Sequence, residues 1–257
     1  MPSPLRAVIR KELRESVWKL WLGVGLLTVL GGMLGPTYGL LGGIFPQGAI
    51  ELLPAWLRGP LSAMLGDYRL YLWYNWYSKN LYQMLTVFSI VFGAGLVAGE
   101  ISHRTSGFLH SKPVSRSVVL AAKYAVALGA LWLSALAGTA AALIGSYASD
   151  HPVAVRSFLL GLPAALSGAA VLLSVVLLAS VSAREPMKAA GLAVLWLVIM
   201  SVASVVRPLR GFSLFVRMSG ERTALTGQVE WGAVLVMLAA AALVLGVTMR
   251  VFRTKEL

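Results

Sequence analysis

The length, composition and charge of this chain exclude most classes of soluble protein. Of its 257 residues, 58% are hydrophobic and only 12% are charged, whereas a soluble domain carries about 25% charged residues; the mean hydropathy is +0.79. The chain has no cysteine, which excludes disulfides, cysteine-ligated zinc and iron–sulfur clusters, and its net charge of +12 fits basic residues beside membrane spans rather than a nucleic-acid partner.

The first 19 residues predict an amphipathic helix. Apolar residues recur at helical spacing, namely Leu5, Val8, Ile9, Leu13, Val17 and Leu20. Charged residues fall on the other face, namely Arg10, Lys11, Arg14 and Glu15. A helix of this kind lies in the headgroup plane of a membrane, here the inner leaflet. A frayed cytosolic tail is the alternative.

Six later stretches are long and apolar enough to cross a bilayer, which takes about 20 residues. They cover residues 20–44, 81–99, 124–148, 157–182, 189–206 and 231–249. The sequence therefore predicts an all-α, polytopic integral membrane protein. We expect one domain over residues 1–257, with six transmembrane helices after the interfacial helix of residues 1–19.

The distribution of lysine and arginine predicts the orientation in the membrane. The two termini and the connections after spans 2 and 4 hold 14 of these residues, and the other connections hold 8. Because cytoplasmic loops carry the excess of positive residues, both termini are expected in the cytoplasm. Residues 100–123 then form a cytoplasmic loop of a multi-pass protein of the cell membrane.

Two connections on the outer side are long. Residues 45–80 are rich in aromatic side chains, namely Trp56, Tyr68, Tyr71, Trp73, Tyr74, Trp76 and Tyr77. We interpret them as an interfacial aromatic belt at the mouth of span 2; a surface that stacks on a substrate is the alternative. Residues 207–229 are either short helices that dip into the outer leaflet or an ordinary loop.

The motifs of common reactive sites are missing. The sequence contains no G-x-x-x-x-G-K-[ST] loop for ATP phosphates, no H-E-x-x-H zinc motif and no G-x-S-x-G nucleophile turn. The predicted spans hold no Asp, Glu, Lys or Arg between their end residues, so the usual proton-coupling group is also missing. We expect no catalytic, cofactor-binding or metal-binding residue in this chain.

The loop between spans 2 and 3 carries a recognisable pattern, "GEISHRTSGFLHSKPVSRSVVLAAKY" over residues 99–124. It resembles the permease subunits of ABC-2-type ABC transporters, which typically have a Glu, a Gly-Thr pair four and five residues on, leucines, then Pro-x-Ser-Arg and a Lys that opens the third span. The matching residues are Glu100, Thr105, Phe108, Leu109, Pro113, Ser115, Arg116 and Lys123. Arg104 stands where the family usually has Gly.

The resemblance implies the type V ABC exporter architecture and a coupling role for this loop. In the family the loop forms a short helix that docks on a separate ATPase subunit. The residues implied in ATPase coupling are Glu100, Arg104, Thr105, Phe108, Leu109, Pro113 and Arg116. Glu100 is expected to pair with Arg104 or Lys123. Weaker candidates for a second ATPase contact are Arg10, Lys11, Arg14, Glu15, Arg184 and Glu185. A basic anchoring loop without a partner is the alternative.

The function predicted in this way is the permease subunit of an ATP-driven transporter. The resemblance implies two ATPase copies, which bind ATP and Mg²⁺, and a second permease copy or a homologous permease. The resemblance implies an exporter with a substrate path near spans 1, 2 and 5, and the small, apolar residues of the path favour a lipophilic or amphipathic substrate. The chain is not expected to be an enzyme by itself. The alternatives are an ion-coupled secondary carrier or channel, and a membrane enzyme.

Overall fold

The computed structural model describes residues 4–44, 51–52, 54–102 and 115–254. These residues form helices, turns and irregular connections, and none of them forms a strand. Six helical segments are long and apolar enough to cross a membrane, which confirms the predicted all-α fold with six spans. They are span 1 Val8–Leu41, span 2 Tyr68–Ser102, span 3 Arg116–Ala148, span 4 Val155–Ser182, span 5 Pro186–Val205 and span 6 Trp231–Thr254.

Spans 1, 2 and 4 are each built from more than one helix, and spans 3, 5 and 6 are single helices. In chain order the α-helices are α1 Pro4–Gly32, α2 Leu34–Ile44, α3 Ala55–Gly66, α4 Tyr68–Asn75, α5 Tyr82–Gly93, α6 Ala98–Ser102, α7 Arg116–Ala148, α8 Val155–Leu159, α9 Leu162–Ser182, α10 Pro186–Val205, α11 Leu214–Met218, α12 Glu221–Thr226 and α13 Trp231–Thr254. A π-helix, Trp76–Leu81, joins α4 to α5, and a 3₁₀ helix, Arg207–Phe212, precedes α11.

The N-terminal segment and span 1 share one helix. The sequence predicts a boundary at residue 20, but α1 continues from Pro4 to Gly32 without interruption. The reason is local, because no Gly or Pro lies between Pro4 and Gly23 to stop the helix. The in-plane position of the first turns stays a prediction.

Span 4 is the centre of the bundle. In its most apolar part 78% of the residues are buried, against 17% in span 5 and 22% in spans 1 and 6. Spans 5 and 6 therefore present most of their apolar surface to lipid or to another protein. An unbroken apolar surface is stable only in such surroundings.

Spans 1 and 3 approach each other through glycines. A Cβ atom on Gly138 would lie 2.8 Å from the Cβ atom of Leu27, and one on Gly145 would lie 3.0 Å from the carbonyl carbon of Gly32. Small residues permit this close approach of two helices in lipid, where packing rather than water exclusion holds helices together. Span 3 thus fixes the position of span 1.

The described parts of the two connections that are predicted to be outer, within 45–80 and 207–229, fold back onto the bundle. Trp76, Tyr77 and Tyr71 are at most 3% exposed, so the predicted interfacial belt is wrong for these three residues. Their rings pack inside the protein, and Tyr74, which is 53% exposed, remains at the surface. In the segment 207–229, Met218 is buried against Gly168 of span 4, which rules out an ordinary loop there.

Candidate coupling site at the ion-paired ends of spans 1 to 3

The predicted coupling residues fall on both sides of a gap in the described structure. Glu100 lies in α6, at the end of span 2, and Arg116 is the first residue of α7, at the start of span 3. The structure does not describe residues 103–114. The predicted residues Arg104, Thr105, Phe108, Leu109 and Pro113 therefore lie outside the described residues, and their coupling role stays a prediction.

Lys123 is the centre of an ion cluster that joins three spans. Its Nζ atom donates to Oε1 of Glu12 at 2.7 Å and to Oε1 of Glu100 at 2.9 Å. Glu12 belongs to α1, Glu100 to α6 and Lys123 to α7. Of the two expected partners of Glu100, Lys123 is therefore confirmed. The two ends of the loop 103–114 are tied to each other and to the N-terminal helix.

The cluster is largely shielded from solvent. The side chains of Lys123 and Glu12 are each 4% exposed, and that of Glu100 is 19% exposed. A buried charge is expensive unless it is paired and hydrogen-bonded. An ammonium group has three donors and can serve two carboxylates at once, so the site holds together only while all three helices keep their places.

A second lysine lies at the more open edge of the cluster. Lys11 Nζ lies 3.3 Å from Oε1 of Glu100 and 3.7 Å from Oε1 of Glu15. Glu12, Glu15 and Glu100 are therefore each within 4 Å of a lysine ammonium group. Such pairing lowers the cost of placing these charges close to hydrocarbon.

The weaker candidates for an ATPase contact lie on exposed positions. Arg10, Lys11, Arg14 and Glu15 are exposed on α1, and Arg184 and Glu185 are exposed between spans 4 and 5. Glu185 accepts a hydrogen bond of 2.9 Å from Lys188 three residues on. Their exposure leaves them accessible to a partner, and nothing in the geometry selects one of them.

Span 2 is interrupted one turn before Glu100. Helix α5 ends at Gly93, residues 94–97 form turns, and α6 begins at Ala98. Ser180 of span 4 fills the interruption, because its Oγ atom accepts from the backbone N–H groups of Val97 and Ala98 at 3.1 Å each and donates to the carbonyl of Ala94 at 2.8 Å. A broken helix at membrane depth needs such partners for its backbone.

Span 1 also contributes to the interruption. Nζ of Lys19 donates to the carbonyl of Val91 at 3.2 Å. The lysine stem runs between aromatic rings, with Nζ 5.9 Å from the ring centres of Trp18 and Phe92. Two neighbouring spans thus provide polar groups for the same short stretch of span 2.

The C-terminal helix is attached to the same end of the bundle. Nε of Arg253 donates to Oγ of Ser117 at 2.7 Å, and Phe252 beside it is buried. This contact joins the end of span 6 to the first turn of span 3. The N-terminal part of span 3 therefore contacts helices from both ends of the chain.

Sequence reasoning missed Glu12, Lys19 and Ser180. Glu12 and Lys19 have a visible signal, because they follow Val8 by four and eleven residues and so lie on its side of the helix. Val8 is 5% exposed, and a charged residue on an apolar face predicts a buried partner. Ser180 has no such signal, since serines are frequent in the spans and only the contact reveals its role.

The cluster has the chemistry of a structural joint. Its carboxylates are paired with lysines, and among the described residues no group of three or more His, Cys, Asp or Glu side chains is placed to hold a metal ion. The sequence holds no P-loop, and the expectation that a partner subunit binds ATP and Mg²⁺ stays a prediction. What the arrangement can do is carry a displacement of the loop into spans 1 and 3.

Comparison with known proteins gives one family. The family model of ABC-2 family transporter proteins matches residues 6–214, from the first turn of α1 to the start of α11. The searches of curated proteins and of solved structures found no match. Because the matched region is most of the 257 residues, the chain belongs to the ABC-2 family of transporter proteins and is the membrane-spanning permease component of such a transporter.

Proposed function

We propose that this permease is driven by a separate ATPase subunit, which docks on the loop between spans 2 and 3. The observation that carries the proposal is the buried cluster of Lys123, Glu12 and Glu100. It ties both ends of the loop to the N-terminal helix. A loop that only anchored the protein would have no need of a buried, ion-paired joint, which costs desolvation energy.

The contacts define the path along which a displacement of the loop would pass into the spans. An ATPase that moves the loop displaces Glu100 and Lys123 together, because one ammonium group holds both ends. Glu12 then carries the displacement into α1, and the unbroken helix α7 carries it along span 3. The close glycine contact of these spans at Gly138 and Gly145 leaves little slack between them.

The orientation that this function needs has both termini and the ion cluster in the cytoplasm, where ATP is available. The bias of lysine and arginine supports it. Exposed charges of α1 and of the connection between spans 4 and 5 flank the loop and provide a second contact surface; they are Arg10, Lys11, Arg14, Glu15, Arg184 and Glu185. Two ATPase subunits bind the ATP and Mg²⁺, and two permeases face each other in the cell membrane.

The exposed faces support a lipophilic or amphipathic cargo that is exported. Span 5 exposes Leu192, Leu195, Ile199 and Val202, and span 1 exposes Trp21, Leu22, Leu26 and Val29, all at 42% or more. A path between these faces and a second permease would be lined by apolar groups. Such a path solvates an acyl chain well and an ion poorly.

A cross-linking experiment tests the docking of the ATPase. The natural chain has no cysteine, so Ser102→Cys, at the exposed end of α6, provides a single thiol beside the loop. Ser157→Cys is the matched control, since Ser157 is an exposed serine at the other end of the bundle. We expect a thiol-to-amine cross-linker to join Ser102→Cys to a P-loop ATPase in the native membrane. Cross-linking from Ser157→Cys alone would contradict the proposal.

A double substitution tests the predicted apolar anchor of the loop. Phe108→Asp with Leu109→Asp should abolish co-purification of the ATPase while the permease still inserts in the membrane. Loss of a central apolar anchor removes most of the binding energy of a small interface. Unchanged co-purification would show that the ATPase binds elsewhere.

A further inference from the structure

The contacts of span 2 differ between its last helix and the rest of the span. The last helix, α6, is tied through Glu100 to Lys123 at 2.9 Å and to Lys11 at 3.3 Å, and both lysines belong to other spans. Ala98 at the start of α6 is also buried against Val176 of span 4 and Ala189 of span 5. The part of span 2 that precedes the joint packs against span 4, where a Cβ atom on Gly93 would lie 2.7 Å from Cγ1 of Val176.

The joint lacks part of the regular hydrogen bonding of a helix, although Ala94 still donates to the carbonyl of Ile90 at 2.9 Å and Gly99 to that of Gly95 at 3.1 Å. In an unbroken helix the N–H of Ala98 would donate to the carbonyl of Ala94. Here both groups bind the hydroxyl of Ser180, which stands between them. Hydrogen bonds to a single side-chain oxygen restrict rotation less than a row of parallel backbone bonds. The joint is therefore held in place and can still bend.

The joint is open on one side only. A Cβ atom on Gly95, in the middle of the turns, would meet nothing within 4 Å, whereas Ala94, Leu96 and Val97 are at most 9% exposed. Glycine at position 95 adds backbone freedom, so the freedom of the joint lies at Gly95 while its other three residues are packed.

We propose that residues 94–97 are a hinge, with Ser180 as its pivot. The hinge lets α6 move with the ends of spans 1 and 3 that carry Glu12 and Lys123, rather than with the rest of span 2. Ser180 is a positioning residue, because it acts through the backbone of the hinge. The proposal rests on the ATPase-driven function for its purpose, since the hinge directs the displacement of the loop into spans 1 and 3. The existence of the hinge can be tested without the ATPase.

Distances between pairs of spin labels measure the hinge directly, because the chain has no natural cysteine. Val87→Cys and Ser102→Cys place labels on exposed positions on both sides of the hinge, and Val118→Cys and Leu133→Cys place labels with the same sequence separation on the unbroken helix α7. In lipid nanodiscs without ATPase we expect a broader distance distribution for the 87–102 pair than for the 118–133 pair. An equally narrow distribution would overturn the hinge.

A glycine substitution stiffens the hinge without a clash. Gly95→Ala fits the open space and favours continuous helix, so it should narrow the 87–102 distribution towards that of the 118–133 pair. Gly99→Ala is the matched control, because it lies within α6, where a Cβ atom would make only a contact of 4.0 Å with Pro186. A Gly95→Ala variant with the original distribution would count against the hinge.

The role of Ser180 has its own readout. Ser180→Ala should raise amide exchange at Val97 and Ala98 by about tenfold, as expected for the loss of one hydrogen bond, and Ser180→Thr, which keeps the hydroxyl, should restore protection. Equal exchange in the wild-type, Ala and Thr chains would remove Ser180 from the pivot.

The complex with the ATPase separates this proposal from the proposed function. When ATP is bound and hydrolysis is blocked by vanadate, the 87–102 distance should change while the 102–118 and 118–133 distances stay the same. A change in the 102–118 distance with a constant 87–102 distance would overturn the hinge even though an ATPase binds. If no ATPase binds and the 87–102 distribution is still broad, the hinge stands and the proposed energy source fails.

Discussion

The two ends of spans 1 to 3 are held together by different chemistry: the end with the ion cluster, predicted to be the inner end, and the opposite, predicted outer end. At the inner end, Lys123 forms ion pairs with Glu12 and Glu100. At the outer end the contacts are neutral, and Trp76 donates its indole N–H to Thr139 at 3.0 Å while the hydroxyls of Thr37 and Tyr71 lie 2.8 Å apart. The same three spans thus meet twice, once through charge and once through aromatic rings and hydroxyls. Span 4 joins them at the outer end, where Tyr77 donates its hydroxyl to the carbonyl of Phe158 at 2.8 Å.

The outer end also has more aromatic packing. Tyr38, Tyr68, Tyr71 and His151 form a cluster in which ring centres lie between 4.8 and 5.9 Å apart. Tyr68 donates to Ser146 at 2.7 Å within this cluster. Neutral, interlocked side chains can share the loss of one contact among many neighbours. A buried charge cannot, because removal of its partner leaves it uncompensated. The inner end is therefore the more sensitive of the two.

The largest effect is expected for Lys123→Met. The substitution removes the one ammonium group that serves two shielded carboxylates, and loss of one partner from a buried ion pair costs about 3–5 kcal/mol. Thermal unfolding in detergent measures the loss. Lys188→Met is the control, because Lys188 is 67% exposed in its pair with Glu185, and exposed pairs contribute about 0–1 kcal/mol. Equal losses in both variants would show that the cluster is not a buried joint.

A smaller effect is expected where spans 1 and 3 touch near their outer ends. Gly145→Ala would place a Cβ atom against the backbone of Gly32, 3.0 Å from its carbonyl carbon, so the two helices must separate. Overpacking of this kind costs about 1–3 kcal/mol. Gly129→Ala on the same helix meets nothing within 4 Å and should leave the free energy of unfolding unchanged or raise it. If the Gly145→Ala variant unfolds at the same temperature as the Gly129→Ala variant, the close approach is wrong.

The smallest effect is expected for a single neutral contact of the outer end. Tyr77→Phe keeps the ring and removes only the hydroxyl, and the carbonyl of Phe158 still accepts from Gly161 at 3.4 Å. The net contribution of such a hydrogen bond is about 0.5–1.5 kcal/mol. Tyr74→Phe, at a position 53% exposed, is the control and should change stability by about 0.5 kcal/mol or less. A loss for Tyr77→Phe as large as that for Lys123→Met would remove the difference between the two ends.

The six spans were predictable because a membrane imposes long apolar stretches that are visible in the sequence. The pair between Glu100 and Lys123 was also predictable, since opposite charges at adjacent span ends need partners. Glu12 was not predicted as a member of the cluster. Helical spacing was used to find apolar residues, and a charged residue on the apolar face was not counted as a signal. The bonds of Ser180 to Ala94, Val97 and Ala98 depend on how two distant spans are placed, which no local pattern encodes.

The aromatic residues near the start of span 2 show a different limit of prediction from sequence. Trp76 and Tyr77 have the composition of an interfacial belt, yet they are buried. Composition cannot distinguish a ring that faces lipid headgroups from one that packs on a neighbouring span, because both environments favour a large apolar ring with one polar group. The π-helix Trp76–Leu81 decides which way these rings point.

The side of the membrane on which the ion-paired end lies decides whether an ATPase can drive this permease from there. Ser115→Cys and Ser157→Cys place single thiols on exposed serines at opposite ends of the bundle, and a membrane-impermeant maleimide labels only thiols outside the intact cell. We predict labelling of Ser157→Cys in intact cells and of Ser115→Cys only after the membrane is permeabilised. Labelling of Ser115→Cys from outside, with Ser157→Cys protected, would put the ion cluster on the wrong side for ATP and contradict the coupling role.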